Sequence, residues 1–538
     1  MLKPSKSFQE RWRRFLQANP LYGLRLWRGS KSVNPAVLTD LWPGDSIAGQ
    51  SLVEGAFKIG DYFVPLKQAS HFLGYSRECP KGFLLFLHSF EWLRDLRAVG
   101  TNAGRKRARE LIKYWIHSHN SWTKKTWLEP SWQPEVTGQR LRYLLSLYDF
   151  FGASADDDFR HLFFVSLNRQ FRHLQHNYKT YNASEWAYLQ SLVGLIFTTC
   201  CLEKPPHLLE NYLRELKKAL SKQLFEDGGH TSRSPTIQFL LLRDLIDIRV
   251  LLRSYAVNEP DFLQQAIQHI VPVVRFFRHT SGELAHFTGI LGTLDAIRLS
   301  CYTFSAAAVD RVLSLSDTRT KGSQRCADMG YLRLTSKGGV VLMNTKPSTT
   351  NSDLADKAFG LLDFEWSVLQ QGVVCRNDII FHDPSGSTVS VGYKEDKACH
   401  LQSNRQHKEG CHHLWVQLSY QWQRYDIHHE REFYLTPDPH DFRGSEKITF
   451  NQEGLVGVRF IFNKTAKVIS QSTRSIKIKL PSVSTGQVAK ICRLMSSGAD
   501  QLLTYALPDG GLVVVLMAIL QPYDPKIIKW GFHLESSR

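Results

Sequence analysis

The sequence predicts an all-helical first half followed by an all-β second half. Between about residues 80 and 312 the apolar residues recur at helical spacing, as in Phe83, Leu87 and Phe90. Beyond about residue 320 the period changes to two, as where Ile476 and Ile478 alternate with lysines. Paired helices with short turns favour a ring or solenoid of helical hairpins, and many short strands between turns are typical of a β-sandwich.

The helical half divides into segments of similar length, separated by short breakers such as Lys204-Pro205-Pro206 and Asp227-Gly228-Gly229. The predicted helices cover 156–176, 184–201, 206–224, 235–254, 260–278 and 290–312, with further helical spacing over 83–96 and 141–148. The sequence has no detectable repeat of fixed period, which disfavours tetratricopeptide and HEAT arrays. A closed helical toroid needs no sequence repeat.

The β half shows strand periodicity over 414–420, 456–462 and 513–520. The period changes within the polar stretch from Ser316 to Ser323, so the boundary is expected near 315–325. We therefore expect an N-terminal segment over 1–79, a helical domain over 80–315 and a β-sandwich domain over 325–538.

The composition is that of a folded protein with a basic surface. The 538 residues carry 67 Lys and Arg against 50 Asp and Glu, a net charge of +17. Such a balance favours an anionic partner, either a nucleic acid, a membrane surface or an acidic polysaccharide. The nine cysteines are scattered over the chain, so a dense disulfide framework is not expected.

The N-terminal stretch from Met1 to Ser30 is arginine-rich and aromatic and lacks the apolar core of a secretory signal. The most apolar run, Leu512 to Leu520, is nine residues long, about half of what a membrane-spanning helix needs. We expect no signal peptide, no integral membrane association and a cytoplasmic location, with the cell envelope or periplasm as the alternative.

Several strings, taken in order, resemble the landmarks of heparinase II/III-like proteins, a family of polysaccharide lyases. They are Leu41-Trp42-Pro43-Gly44-Asp45, Trp132 to Arg140, Asp227 to Pro235, Gly330 to Leu334, Leu362 to Ser367, Tyr425 to Leu435 and Ile527 to Trp530. The resemblance implies an N-terminal incomplete (α/α) toroid followed by an antiparallel β-sandwich, with a substrate cleft between them. It also implies cleavage of uronate-containing glycans, such as glycosaminoglycans, by β-elimination.

Elimination requires a group that neutralises the uronate carboxylate, a base that removes the neighbouring proton and an acid that protonates the leaving oxygen. The family's neutralising asparagine matches Asn182, at the start of a predicted helix. The competing interpretation is that Asn182 serves only as an N-cap, a position that asparagine favours.

His230 and Arg233 lie in the Asp-Gly-Gly-His turn ahead of the helix that begins at Pro235. A histidine transfers protons near neutral pH, and an arginine can hold a carboxylate with two hydrogen bonds. We predict that His230 is the proton-transfer residue, that Arg233 binds the carboxylate with Asn182, and that replacing His230 with Ala abolishes elimination. The alternatives are a histidine that packs the turn and an ordinary exposed arginine at a helix start.

Four further residues are predicted to contact substrate: Trp132, Arg140, Gln238 and Lys357. Sugar faces stack on aromatic rings and acidic sugars pair with Arg, although buried Trp and Arg are more commonly structural. Two of the four, Gln238 and Lys357, lie at or beside positions where the family carries reactive side chains.

The departures from the family bear on activity. Well-studied members carry a Tyr and a His shortly after the Ser-Pro of this motif, where this chain has Ile237 and Gln238. The family's second-domain His falls near Lys357. The sequence therefore predicts a polysaccharide lyase-like protein, with a catalytically inactive member that binds acidic polysaccharide as the alternative.

A metal ion and a nucleic acid are the alternative ligands that the sequence suggests. Some relatives hold a divalent metal ion in the β domain, where this chain has a group of cysteines and histidines, but scattered surface histidines are the better expectation and no cofactor is predicted. The group comprises Cys399, His400, His407, Cys411, His412, His413, His428 and His429.

The basic, aromatic segment from Arg11 to Trp27 fits a nucleic acid, yet the chain contains no recognisable nucleic-acid-binding motif, so no nucleic acid is expected as a partner. The oligomeric state is not predicted.

Overall fold

The computed structural model describes most of both halves of the chain. The described residues are 22–23, 26, 38, 40–59, 62–65, 81–119, 130–202, 204–287, 305–317, 325–346, 362–382, 388–390, 400–408, 411–422, 425–438, 440–463, 465–481, 490–507 and 510–535. Lys357 and Cys399 lie outside them.

Helices occupy the described residues of the N-terminal part. They are α1 (Ser46–Val53), α2 (Lys81–Ser89), α3 (Leu93–Ala98), α4 (Asn102–His119), α5 (Pro134–Ser146), α6 (Tyr148–Gly152), α7 (Asp157–Asn177), α8 (Trp186–Cys201), α9 (Pro206–Gln223), α10 (Pro235–Ser254), α11 (Asp261–Phe276) and α12 (Ala306–Leu315). A short hairpin of β1 (Ala56–Ile59) and β2 (Tyr62–Pro65) follows α1.

The helix starts have local causes. Proline occupies the first position of α5 and of α9, where its missing N–H costs nothing and its fixed φ suits the helix. Asp156 caps α7 by accepting a hydrogen bond from Phe159 N at 2.7 Å, and Ser305 caps α12 in the same way. The predicted helices over 206–224 and 235–254 are confirmed to within one residue.

The C-terminal half consists of antiparallel strands, as predicted. They are β3 (Arg325–Cys326), β4 (Tyr331–Ser336), β5 (Gly339–Asn344), β6 (Phe364–Val368), β7 (Gln371–Val374), β8 (Arg376–His382), β9 (Thr388–Ser390), β10 (His400–Lys408), β11 (Cys411–Trp422), β12 (Tyr425–Leu435), β13 (Asp441–Phe450), β14 (Gly454–Ile461), β15 (Lys467–Gln471), β16 (Ser475–Lys479), β17 (Ile491–Ser497), β18 (Gln501–Ala506), β19 (Leu512–Leu520) and β20 (Lys526–Glu535).

These strands form three sheets. The orders are β10-β11-β12-β13-β20-β17-β16-β15, β18-β19-β14-β8-β9 and β3-β4-β5-β6-β7. All three contribute to one hydrophobic core, in which Phe460 of the second sheet lies 5.3 Å from the ring of Trp530 in the first. Phe364 of the third sheet stacks on the same tryptophan at 5.6 Å. Burial of alternate residues on facing strands therefore holds the sheets together.

The chain divides into two compact units. The helical unit comprises the described residues of 1–225 and 240–267, and the sheet unit comprises those of 226–239, 268–290 and 304–538. The last described helix, α12, ends at Leu315, and the next described strand, β3, begins at Arg325. The predicted domain bounds stay a prediction. The sheet unit also takes in the Asp-Gly-Gly-His turn and the end of α11.

The histidines of the sheets follow strand alternation. His428 is exposed, while its neighbour His429 is buried and hydrogen-bonds Glu446 Oε2 at 2.8 Å. His412 and His413 likewise have separate contacts, the first with Thr335 O and the second with the ring of Tyr434. Within the described residues, no three His, Cys, Asp or Glu side chains are grouped to hold a metal ion. In the same part of the chain, every helix is too short or too polar to cross a membrane.

Candidate functional site

The turn at Asp227 is locked by reciprocal hydrogen bonds to a loop of the sheet unit. Asp227 accepts from the backbone N of Gly229 and of Asp328, both at 2.9 Å, and Asp328 accepts from Asp227 N at 3.2 Å. Gly228 has a φ of +82°, and a Cβ there would clash with the carbonyl oxygen of His269. The conformation of the turn therefore requires glycine at position 228, and the carboxylate of Asp227 holds the turn through backbone N–H groups.

Gln238 closes the same turn from the first part of α10. Its Oε1 accepts from His230 N at 2.7 Å and its Nε2 donates to Gly228 O at 2.8 Å. Because Gln238 is fully buried and both ends of its amide are occupied, it acts here as a brace of the turn. Its predicted role as a substrate contact stays a prediction.

His230 is 2% exposed, and its ring is held on one side by Ser232. Nδ1 accepts from Ser232 N at 3.0 Å and lies 2.7 Å from Ser232 Oγ. Burial lowers the pKa of His230 to about 3, so the imidazole is neutral near neutral pH. These contacts pack the ring within the turn. The predicted role of His230 in proton transfer stays a prediction.

Arg233 is buried and follows the turn with a φ of +58°, an unfavourable conformation for a residue with a side chain. Nε donates to Met329 O at 2.6 Å, and Nη2 donates to Asn344 Oδ1 and, at 2.9 Å, to Lys346 O. Tyr331 Oη donates to Arg233 O at 2.9 Å. Burial lowers the pKa of Arg233, with Tyr331 opposing the shift. The exposed-arginine alternative is wrong, because this side chain is buried and donates hydrogen bonds to Met329, Asn344 and Lys346.

Asn182 lies in the helical unit and is exposed. Its Nδ2 donates to Glu185 Oε1 at 3.0 Å, and the same oxygen accepts from Asn182 N at 3.1 Å. The N-cap of α8 is Glu185, so the N-cap interpretation of Asn182 is wrong. Nearby, Tyr181 Oη donates to Glu135 Oε2 at 2.7 Å.

Trp132 and Arg140 lie together inside the helical unit. Arg140 is fully buried with its guanidinium 4.1 Å from the ring of Trp115 and 5.6 Å from that of Trp132. It donates to Ser131 O at 2.7 Å and to Gln170 Oε1 at 2.7 Å. Burial lowers the pKa of Arg140. The contacts of this pair are those of a packed interior, and their substrate role stays a prediction.

The structure thus brings together His230, Arg233 and Gln238 in the sheet unit and, separately, Trp132 and Arg140 in the helical unit. The sequence reasoning gave no role to Tyr331 or Asn344, although both contact Arg233. Tyr331 lies in one of the segments that resemble the heparinase II/III-like family. A sequence segment gives the order of residues along the chain but not which side chains are in contact.

Solved structures of heparinase III share this fold. One heparinase III crystal structure aligns with a TM-score of 0.62 at 11% identity, covering 99% of this chain and 91% of that one. A second heparinase III gene product aligns with a TM-score of 0.53, also at 11% identity, over 96% of this chain and 88% of that one. The likeness shows the fold: helices in the N-terminal part followed by antiparallel sheets.

A curated relative matches part of the sequence. It is FtsZ-localized protein C of Caulobacter vibrioides, 30% identical over 256 residues, which are 46% of this chain and 41% of the relative. The match thus spans less than half of the relative's length. No family model matches the chain.

Proposed function

We propose that this chain uses a heparinase-like fold to bind an acidic, uronate-containing polysaccharide without cleaving it. The observation that carries the proposal is that His230 and Arg233 are buried and hydrogen-bonded to other residues of the protein. A general base works best with a pKa near the operating pH. At a pKa of about 3, His230 is a weak proton acceptor at neutral pH, and the Arg233 guanidinium donates to Met329 O and Asn344.

The residue that replaces the family's tyrosine supports the same proposal. Ile237 is fully buried and has no atom that can give or take a proton. An elimination route at this position would need its proton donor from another side chain. The competing function, elimination by an active lyase, cannot use residue 237 as its proton donor.

Charge and exposure favour a polyanionic ligand. The chain carries a net charge of +17, which attracts polyanions at low salt. Among the predicted contacts of the helical unit, Asn182 is exposed while Trp132 and Arg140 are buried, so Asn182 is the one that a ligand can reach without rearrangement. The proposal includes the incomplete (α/α) toroid that the family resemblance implies for the helices.

Isothermal titration calorimetry of the purified full chain tests the binding. We expect heparan sulfate, heparin, alginate or a bacterial acidic polysaccharide to bind, and the affinity to fall as salt is raised. Dextran, a neutral polymer, is the matched control and should give no heat of binding. Absence of binding to every acidic polymer, or equal binding to dextran, would contradict the proposal.

A second candidate function rests on the Caulobacter vibrioides relative, whose name describes localisation with FtsZ. We infer from it that this chain associates with FtsZ, which agrees with the cytoplasmic location expected from the sequence. A binding protein built on a lyase fold would suit such a role, because docking needs a surface and not a working acid and base.

Co-sedimentation with FtsZ polymers tests this second candidate. We expect the chain to pellet with FtsZ assembled in GTP and to stay in the supernatant with unassembled FtsZ in GDP. A fluorescent fusion in cells should mark the same position as FtsZ. Equal amounts in the supernatant under both nucleotides would contradict the association.

A further inference from the structure

The sheet unit contains a cavity of about 350 Å³, near the lower end of the range for small-molecule sites, about 300–1,000 Å³. Its lining comes from the segment after α11, from β6 and β7, and from two later turns. The residues that matter below are His279, Glu283, Glu365, Gln370, Gly372 and Asn463. None of the six has a place in the binding function proposed above.

A buried carboxylate is fixed at this cavity with one oxygen unused. Glu365 Oε2 accepts from His279 Nε2 at 2.8 Å and from His286 N at 3.0 Å. Glu365 is 1% exposed, and its Oε1 has no hydrogen-bond partner in the described part of the chain. A buried acceptor without a donor is unfavourable, so the site favours a ligand that supplies one.

The histidine beside Glu365 is oriented by a second layer. Ser367 Oγ accepts from Thr280 N at 3.2 Å and lies 2.9 Å from His279 Nδ1. With Nδ1 accepting from the Ser367 hydroxyl, the tautomer assigned to His279 carries its hydrogen on Nε2 and donates it to Glu365. The carboxylate is therefore held in place before any ligand arrives.

The charge of the lining selects the kind of ligand. Two carboxylates, Glu283 and Glu365, line the cavity, and its described lining contains no Lys or Arg. The amides of Gln370 and Asn463 and the hydroxyl of Thr465 add neutral donors and acceptors. An anionic sugar would face two carboxylates and no Lys or Arg side chain in the described lining, whereas an ammonium group would complement this negative charge.

We propose that this cavity binds a small polyhydroxylated amine the size of one amino sugar, whose ammonium group donates to Glu365. The site is separate from the binding of acidic polysaccharide, since it would reject a uronate. The probes are glucosamine, glucose and glucuronate. We expect glucosamine to bind more tightly than glucose, and glucuronate not to bind.

Gly372 offers a variant that fills the cavity without disturbing the fold. It lies in β7 and lines the cavity, and a Cβ there would meet no atom within 4 Å. Gly372→Phe should lower glucosamine affinity by at least about tenfold, because an aromatic residue suits a strand and the ring occupies the space. Gly372→Ala is the matched control and should bind as the wild type does. Glu365→Gln should abolish the preference for glucosamine over glucose.

Calorimetry and saturation-transfer NMR measure the binding of each sugar to the wild type and the variants. Thermal melting checks that each variant is folded. No glucosamine binding by the wild type, tighter binding of glucuronate, or equal binding by Gly372→Phe would overturn the proposal. Acidic polysaccharide binding by Gly372→Phe should be unchanged, so failure of the cavity proposal and failure of the polysaccharide proposal give different results.

Discussion

Replacing Glu446 with Gln should lower the free energy of unfolding by about 3–5 kcal/mol, the usual cost of removing one partner of a buried ion pair. Glu446 is fully buried. Its Oε1 accepts from Arg431 Nη2 at 2.8 Å and from Trp530 Nε1 at 2.9 Å. Glutamine keeps the size and one acceptor, but it leaves the buried Arg431 guanidinium without its counter-charge.

The pH dependence of this loss has a definite sign. Burial alone would raise the pKa of Glu446, but Arg431 and the hydrogen bonds from His429 and Trp530 outweigh it and lower the pKa. The stabilisation is therefore fully present above the unfolded pKa of about 4.3 and is lost as the pH falls through the folded pKa. The difference between wild type and Glu446→Gln should shrink below about pH 4.

The same two strands supply a matched control. Glu430 and Lys447 are cross-strand partners one residue along from Arg431 and Glu446, and their side chains pair at 2.9 Å. They lie on the other face of the sheet and are partly exposed, so Glu430→Gln should change stability by less than about 1 kcal/mol. Denaturant unfolding followed by circular dichroism measures both. Equal losses in the two variants would contradict the role of the buried pair.

Replacing Arg142 with Met should destabilise the helical unit by a similar amount, about 3–5 kcal/mol at neutral pH. Arg142 is buried and pairs with Asp244 and Asp247, both on α10. Trp42 Nε1 and Gln190 Nε2 also donate to these carboxylates, at 2.8 and 2.6 Å. Without the guanidinium, the two buried carboxylates lose the cation that pairs directly with both of them, and Arg94 and Arg243 act on Asp247 only as weaker charges.

The loss in Arg142→Met should become smaller as the pH falls. Burial raises the pKa of Asp247 even beside Arg142, and removal of the cation raises it further. The variant's folded state then binds protons that the unfolded state does not, so acid relieves the charge. Arg253→Met is the control, since Arg253 is on the same helix with an exposed side chain paired to Glu259 at 3.0 Å. A loss that is the same at every pH would contradict this account.

The sequence predicted the elements well and their contacts poorly. The predicted bounds of α9 agree with the structure to within one residue, because proline marks the start of the helix and its apolar stripe has a clear period. Long-range contacts have no such local signal. Arg142 and Asp244 are 102 residues apart, and His279 and Glu365 are 86 apart, so neither pair could be read from spacing.

The candidate site shows the same limit. The Asp-Gly-Gly-His string forms a turn, as its glycines indicate, and hydrogen bonds from Asp227 and Gln238 hold it. The residues that engage His230 and Arg233 decide what the turn can do, and Asn344 is 111 positions away from Arg233. A motif fixes which side chains are present, whereas burial and partners fix their proton affinity.

The most direct test of the central claim is the ultraviolet absorbance of an unsaturated uronate during incubation of the wild-type chain with polysaccharides. The polymers tested are those that bind in calorimetry, chosen from heparan sulfate, heparin, alginate and bacterial acidic polysaccharides. We predict a flat trace with every bound polymer, because His230 is a weak base and Ile237 moves no proton. A rise with any of them, lost in His230→Ala with the fold intact, would establish elimination and contradict binding without cleavage.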